Sequence, residues 1–206
     1  MDNEQYNNNI FINCSFDISF QEKFHSLVYS ILRCGFIPHC ALEHDDASEI
    51  RMEKLYRLIE NCRYGIHDIS NTSLDQENQF PRFNMPFELG LFLAAKKFGD
   101  VIQKKKSLLI LEGKQFSSKI FLSDLNGVDP KPHEHSTDKL IQHVRSWLVI
   151  TSKRKLPGHL KIQKEFYHFE KQILPGVLSE TGLEMENLSF VDYCLFIKEY
   201  LVEIAI

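Results

Sequence analysis

The sequence predicts an α/β protein, a parallel sheet flanked by helices with a helical C-terminal appendage. Three observations lead there. Short apolar runs (Ile10–Cys14, Phe36–Leu42, Tyr64–Ile69 and Ser107–Leu111) alternate with stretches that repeat at helical spacing. Such alternation implies βαβ units, hence parallel strands joined by right-handed crossovers. The last quarter, residues 152–206, carries helical patterns alone.

Taken in order, residues 1–9 (Met-Asp-Asn-Glu-Gln-Tyr-Asn-Asn-Asn) are polar and expected to be disordered. The domain proper is expected over 10–151. Ile10–Cys14 reads as a buried strand and Ser15–Ser19 as the loop after it. Phe24, Leu27, Val28, Ile31 and Leu32 then mark a helix with one buried face, ended by Gly35. In the second strand Pro38 argues for a strand end or an edge position. An acidic loop, Glu43–Asp46, leads to Ser48 as N-cap of a helix with the apolar stripe Leu55, Leu58, Ile59 and Cys62. Tyr64–Ile69 is the third strand, and a polar loop follows from Ser70 to Phe83.

The most apolar helix comes next, Leu89–Lys97, ended by Gly99. Asn84 is its expected N-cap and Pro86 a tolerated first-turn residue, which places Glu88 in the first turn. There the helix dipole favours the ionised carboxylate. Lys104–Lys106 reads as a solvated turn before the fourth strand, and Lys119–Leu122 as a short fifth strand. Ser136 opens a helix carrying Leu140, Ile141, Val144, Trp147 and Leu148. Lys153–Gly158 is a linker. Beyond it Ile162, Phe166, Phe169 and Ile173 sit at helical spacing, and Pro175-Gly176 is expected to break the chain. Ser189 to Asp192 has the Ser-x-x-Asp capping pattern, ahead of a wide stripe of Tyr193, Phe196, Ile197, Tyr200, Leu201 and Ile204. That stripe must pack on the domain, on a second subunit, or on both.

Composition narrows the function classes. A net charge of −4 offers no global attraction to nucleic acid. No apolar run approaches the roughly 18 residues of a membrane span, and the first residues lack a signal-peptide pattern, so a cytoplasmic protein without membrane contact is expected. Five scattered cysteines without a C-x-x-C pair support neither zinc nor a disulfide framework. Neither common phosphate loop, G-x-G-x-x-G nor G-x-x-x-x-G-K, occurs, which argues against a P-loop NTPase and an ordinary dinucleotide dehydrogenase.

Ligands of parallel sheets bind beyond the carboxyl ends of the strands, and three chemically rich segments fall there: Cys14–Asp17, His67–Ser70 and Asn84–Glu88. Glu88 is the candidate catalytic carboxylate, because N-glycosidic cleavage builds positive charge on the ribosyl carbon. Asp68 is its candidate partner, holding ribose hydroxyls or positioning Glu88. Candidate substrate-binding residues are Cys14, Ser15, Phe16, Asp17, Ser70, Arg82, Asn84 and Met85, with Arg82 a cation for a phosphate. The Asp- and His-rich segment Ser123–His135 is expected to close over the sheet edge, bringing Asp124 or His133 to the ligand. No metal is expected. The same residues also have plainer duties: dipole compensation for Glu88, capping for Asp68 and Asn84, a core position for His67.

The runs Gly65-Ile66-His67-Asp68-Ile69-Ser70 and Arg82-Phe83-Asn84-Met85-Pro86-Phe87-Glu88-Leu89-Gly90 resemble a bacterial protein group related to nucleoside 2-deoxyribosyltransferases and TIR domains. Phe11-Ile12-Asn13-Cys14-Ser15-Phe16-Asp17 is similar to the first TIR strand and its loop. The resemblance implies a flavodoxin-like sheet with Glu88 as nucleophile and Asp68 near it. It further implies NAD or a related nucleotide as substrate rather than cofactor. It also implies an oligomerising effector of antiphage defence, with a defence-system protein as a partner. The chain departs from the deoxyribosyltransferase pattern, in which Gly-Thr stands before the Glu; here Met85-Pro86-Phe87 precedes Glu88. Two rival readings stay open: nucleotide sensing without chemistry, and a scaffold that oligomerises through the 189–206 stripe.

Overall fold

A computed structural model describes residues 3–43, 48–72, 74, 79–125 and 127–204. The element order is α1 (Asn3–Tyr6), β1 (Asn9–Asn13), α2 (Gln21–Arg33), β2 (Ile37–His39), α3 (Arg51–Asn61), β3 (Tyr64–Asp68), α4 (Asn84–Phe98), β4 (Ser107–Glu112), α5 (Ser118–Phe121), β5 (Lys131–Pro132), α6 (Thr137–Ser152), α7 (His159–His168), α8 (Leu174–Thr181) and α9 (Phe190–Glu203). Among the described residues the strands form one five-stranded sheet in the order β2-β1-β3-β4-β5, every pair parallel. This is the doubly wound, flavodoxin-like order, whose switch point lies between β1 and β3. Ile12 pairs with Ile66, and Ile66 with Leu109, which centres the sheet on its most apolar residues. Pro38 lies on edge strand β2, where its missing N–H disrupts no inner ladder.

Alternation along each strand divides the core into two layers. Ile10, Ile12, Tyr64, Ile66, Leu109 and Leu111 face α2, α6 and the C-terminal helices. Phe11 faces the other way, onto Leu55, Leu58 and Ile59 of α3 and Phe92 of α4. A third cluster joins Ile69, Met85, Leu89 and Ile110. All five cysteines are buried and unpaired, as small apolar residues are.

The C-terminal helices belong to the first layer. Ile162, Phe166, Phe169, Tyr193 and Ile197 are buried in the same cluster as α2. Tyr193, Ile197 and Tyr200 of the α9 stripe are therefore covered by their own chain, while Phe196 and Leu201 are half-buried and Ile204 is exposed. Ser136 and Ser189 cap α6 and α9 as expected, each accepting an N–H three residues on.

Several local expectations are corrected. Residues 3–9 are ordered: α1 brings Tyr6 to 2 % exposure, and Asn9 begins β1. Their polarity concealed a single anchoring aromatic. Lys119–Leu122 is not a strand. Glu112 accepts the N–H groups of Phe116 and Ser118, which winds this segment into α5, and the fifth strand is Lys131–Pro132. Pro175-Gly176 does not break the chain, because a π-helical turn over Phe169–Ile173 delivers Pro175 to the first turn of α8. Ser48 is no cap; Ile50 precedes α3 without a side-chain bond. Lys106 is no solvated turn residue. It is 1 % exposed, donates from Nζ to the carbonyls of Ile59 (2.6 Å) and Cys62, and lies 4.6 Å over the Phe92 ring. Burial lowers its pKa to about 8. His44, Asp45 and Asp46 of the expected acidic loop lie outside the described residues.

Candidate functional site

On α4 the spacing of apolar residues divides the helix between two neighbours. Met85, Leu89 and Phe92 turn to the sheet, while Leu91 and Ala95 pack on α3. Glu88 belongs with the second set, at the open end of the seam between α3 and α4. There a cavity of about 580 Å³ is lined by Glu88, Asn84 and Phe87 of α4, Arg51 and Lys54 of α3, and Phe16 of the loop after β1. It lies beyond the carboxyl ends of β1 and β2, where doubly wound sheets bind ligands.

The electrostatics of Glu88 differ from the sequence expectation. Asn84 is the first residue of α4 and Phe83 its N-cap, so Glu88 is one residue further in than expected, just past the first turn. The dipole acts mainly on the first turn. Burial dominates instead and raises the Glu88 pKa from 4.5 to about 7, partly opposed by Arg51. Near neutral pH the carboxyl is poised between its two forms, a useful property in an acid, base or nucleophile.

A second group of expected residues assembles beside it. Ser15 Oγ donates to Asp17 Oδ2 at 2.7 Å. Asn71 Nδ2 donates to both Ser15 Oγ (3.0 Å) and Asp17 Oδ2 (2.9 Å). Arg82 pairs with Asp17 Oδ1 at 2.9 Å. This network ties the loop after β1 to the loop after β3 and to the approach to α4. It engages one nitrogen of the Arg82 guanidinium with a carboxylate, while the side chain stays 57 % exposed.

Asp68 is not brought to Glu88. It shares the face of Ile66, on the opposite side of the sheet from α4, and is 1 % exposed. Its Oδ1 accepts from Ser70 N (2.9 Å) and Ser70 Oγ (2.5 Å). Its Oδ2 stands 3.1 Å from Nε2 of the fully buried His133, within ion-pair distance but off the line of a good hydrogen bond. His133 Nδ1 accepts from the His135 N–H, which leaves Nε2 as the ring nitrogen that faces Asp68. Asp68 and Ser70 therefore serve this buried network. His133, at 0 % exposure, does not reach a surface ligand.

Cys14 and Met85 are also buried rather than presented to solvent. Desolvation holds the Cys14 thiol well above its usual pKa, which leaves it inert. The Met85 carbonyl has a structural task, accepting from Asn13 Nδ2 at 2.8 Å. The same amide donates to His67 Nδ1 at 3.0 Å; burial lowers the His67 pKa to about 3, and the ring is a neutral core residue. Asp124 is exposed on the turn Ser123–Leu125, whose Leu125 packs against the Met85 cluster, and it lines no part of the Glu88 cavity.

Sequence reasoning missed Arg51, Lys54 and Asn71. The first two were legible in retrospect: with Leu55 and Leu58 they continue one helical stripe, i, i+3, i+4, i+7, whose first positions are cationic. Asn71 had no such signal, because only folding brings the loop after β3 against Ser15. Groups of three or more metal-ligating side chains with suitable geometry are absent among the described residues. No helix of the described residues is long and apolar enough to cross a membrane. No protein-family model matches the chain, and no curated protein matches it.

Proposed function

We propose that the chain cleaves, or transfers at, the N-glycosidic bond of NAD or a related nucleotide, with Glu88 as the reacting carboxylate. The observation that carries this reading is the composition of one cavity: Glu88 beside two cations, Arg51 and Lys54, and two aromatic rings, Phe16 and Phe87, with a further carboxylate, Glu49, paired to Arg57. Cations suit a phosphate, rings suit a base, and a carboxylate suits the ribosyl carbon as the base departs. A cationic centre forming next to Glu88 favours its ionised form, offsetting the desolvation that raises its pKa. The resemblance of the Glu88 segment to deoxyribosyltransferases and TIR domains supports the same chemistry and suggests an antiphage effector role.

The test is incubation of the protein with NAD, nucleosides and deoxynucleotides, with chromatographic detection of the freed base. Base release should vanish in Glu88→Gln, and kcat/KM should rise with pH through about 7 as the carboxyl ionises. Retained turnover in a folded Glu88→Gln protein would end the assignment.

A second reading, nucleotide sensing without turnover, is favoured by one observation. Asp68, the expected helper, is turned to the other face of the sheet and engaged by Ser70 and His133. Saturable nucleotide binding with no product over long incubation would select it.

A further inference from the structure

Beside the Glu88 cavity lies another, of about 370 Å³, between the start of α2 and the C-terminal helix α9. The two share a wall. Phe16 and Leu42 line both, so the second opens directly beside the first. We infer that the second cavity is a subsite for a planar, uncharged ring of a two-headed ligand whose other half lies over Glu88, and that α9 completes the binding site. The inference rests on the proposed nucleotide chemistry and adds to it both the shape of the ligand and a role for the C-terminal helices.

The chemistry of the linings divides the ligand between the two spaces. Arg51 and Lys54 stand in the first cavity only. The second has no Lys or Arg in its lining, where His25 and Glu186 are the titratable groups besides Tyr193, and so offers a phosphate no fixed cation. Its walls are mainly apolar and aromatic: Phe16, Phe24, Leu188, Phe190 and Tyr193. The Phe16 ring meets Phe24 edge-on at 5.2 Å, and Phe24 lies 6.1 Å from Phe190. A flat heterocycle gains from such surroundings through stacking and edge contacts. Gln21 supplies a side-chain amide in the same lining for ring nitrogens or an exocyclic amine, while the Ser189 hydroxyl is taken up by Asp192 in capping α9.

The far wall, which includes His25 and Tyr193, is held by its own contacts. Tyr193 donates its hydroxyl to Glu170 Oε1 at 2.5 Å and stacks on His25 at 4.1 Å, while His25 Nδ1 stands 3.2 Å from Glu170 Oε2. The Tyr193 hydroxyl is thus spent on tying α9 to the π-helical turn and, at the His25 carbonyl, to α2, and its ring remains as wall. A dinucleotide matches this arrangement: one nucleoside with its scissile bond at Glu88, phosphates near Arg51 and Lys54, and the second base against Phe24 and Phe190.

The test uses the full chain carrying Glu88→Gln to prevent turnover, with NAD and nicotinamide mononucleotide titrated separately by calorimetry. Two cavity-filling substitutions probe the second space: Leu188→Trp within it, and Ile18→Trp at a lining position that is 85 % exposed and so tolerant of change. Each variant is checked for a wild-type thermal transition. The expected result is at least a tenfold loss of NAD affinity with mononucleotide affinity unchanged within twofold. Unchanged NAD affinity in the folded variants overturns the subsite and leaves the Glu88 reading standing. Equal loss for both ligands also overturns it, since the block would then lie in the first cavity. Failure of the parent to bind either ligand removes the nucleotide reading, and the subsite with it.

Discussion

Replacing Glu88 by Gln should stabilise the folded protein, and should do so more as pH rises. The folded carboxyl holds its proton up to about pH 7, whereas an unfolded glutamate releases it near 4.5. Between those values the native state binds more protons than the unfolded state, so stability falls as pH rises. A group with a raised folded pKa contributes in full below its unfolded value and loses that contribution as pH climbs through its folded value. The rise from 4.5 to about 7, at about 1.36 kcal/mol for each tenfold change in proton affinity, sets a ceiling of about 3 kcal/mol. The cavity is open to solvent, and screening there brings the expected value to about 1–2 kcal/mol. Gln keeps the shape and stays neutral. Its advantage should therefore be near zero at pH 4.5, grow through pH 7, and level off above it. Urea denaturation of both proteins at intervals from pH 4.5 to 8.5 measures the difference, in which other titrating groups cancel. A gap that is flat with pH, or that favours Glu88 as pH rises, would refute burial as the dominant force on this carboxyl. The expected outcome also protects the activity assay: loss of turnover in a stabilised variant is loss of chemistry, not loss of fold.

Two further substitutions probe the scaffold that positions the site. Gly65→Ala would place a Cβ 2.7 Å from His67 Nε2 and 2.8 Å from Phe92 Cζ, beneath α4, and should cost about 1–3 kcal/mol by thermal or urea unfolding; a wild-type transition would show that α4 has room to shift. Lys106→Met retains the apolar stem but strips the Ile59 and Cys62 carbonyls at the end of α3 of their donor, and should cost about 1–3 kcal/mol, read as a lower urea midpoint at neutral pH; an unchanged midpoint would mean that relief of Lys106 desolvation matches the lost bonds.

What the sequence by itself determined was local and periodic. The alternation of short apolar runs with helical stripes placed β1, β3 and β4 within a residue of their observed bounds, and the stripes Phe24–Leu32 and Leu140–Leu148 fall inside α2 and α6. Pro38 marked an edge strand, and Ser136 and Ser189 marked helix starts, because each effect acts between atoms a few residues apart. Glu88 could be singled out for the same reason, as a carboxylate near the start of an apolar helix after the third strand.

Only the tertiary structure decided how these residues behave. Desolvation depends on what other segments bring near, so the Glu88 pKa, expected to be held low by a helix terminus, is raised by burial at the α3–α4 seam. Lys106 reads as solvent-facing among neighbouring lysines, yet the end of α3 supplies carbonyls that draw it inside. Asp68 stands four residues into a strand that alternates faces, and the sheet turned it away from Glu88 toward a histidine that follows β5. The joining of the Glu88 cavity to the α9 cavity through Phe16 and Leu42 arises from packing between segments more than a hundred residues apart. No local pattern encodes such a meeting, because the free energy that brings those surfaces together belongs to the whole core rather than to any one stretch of chain.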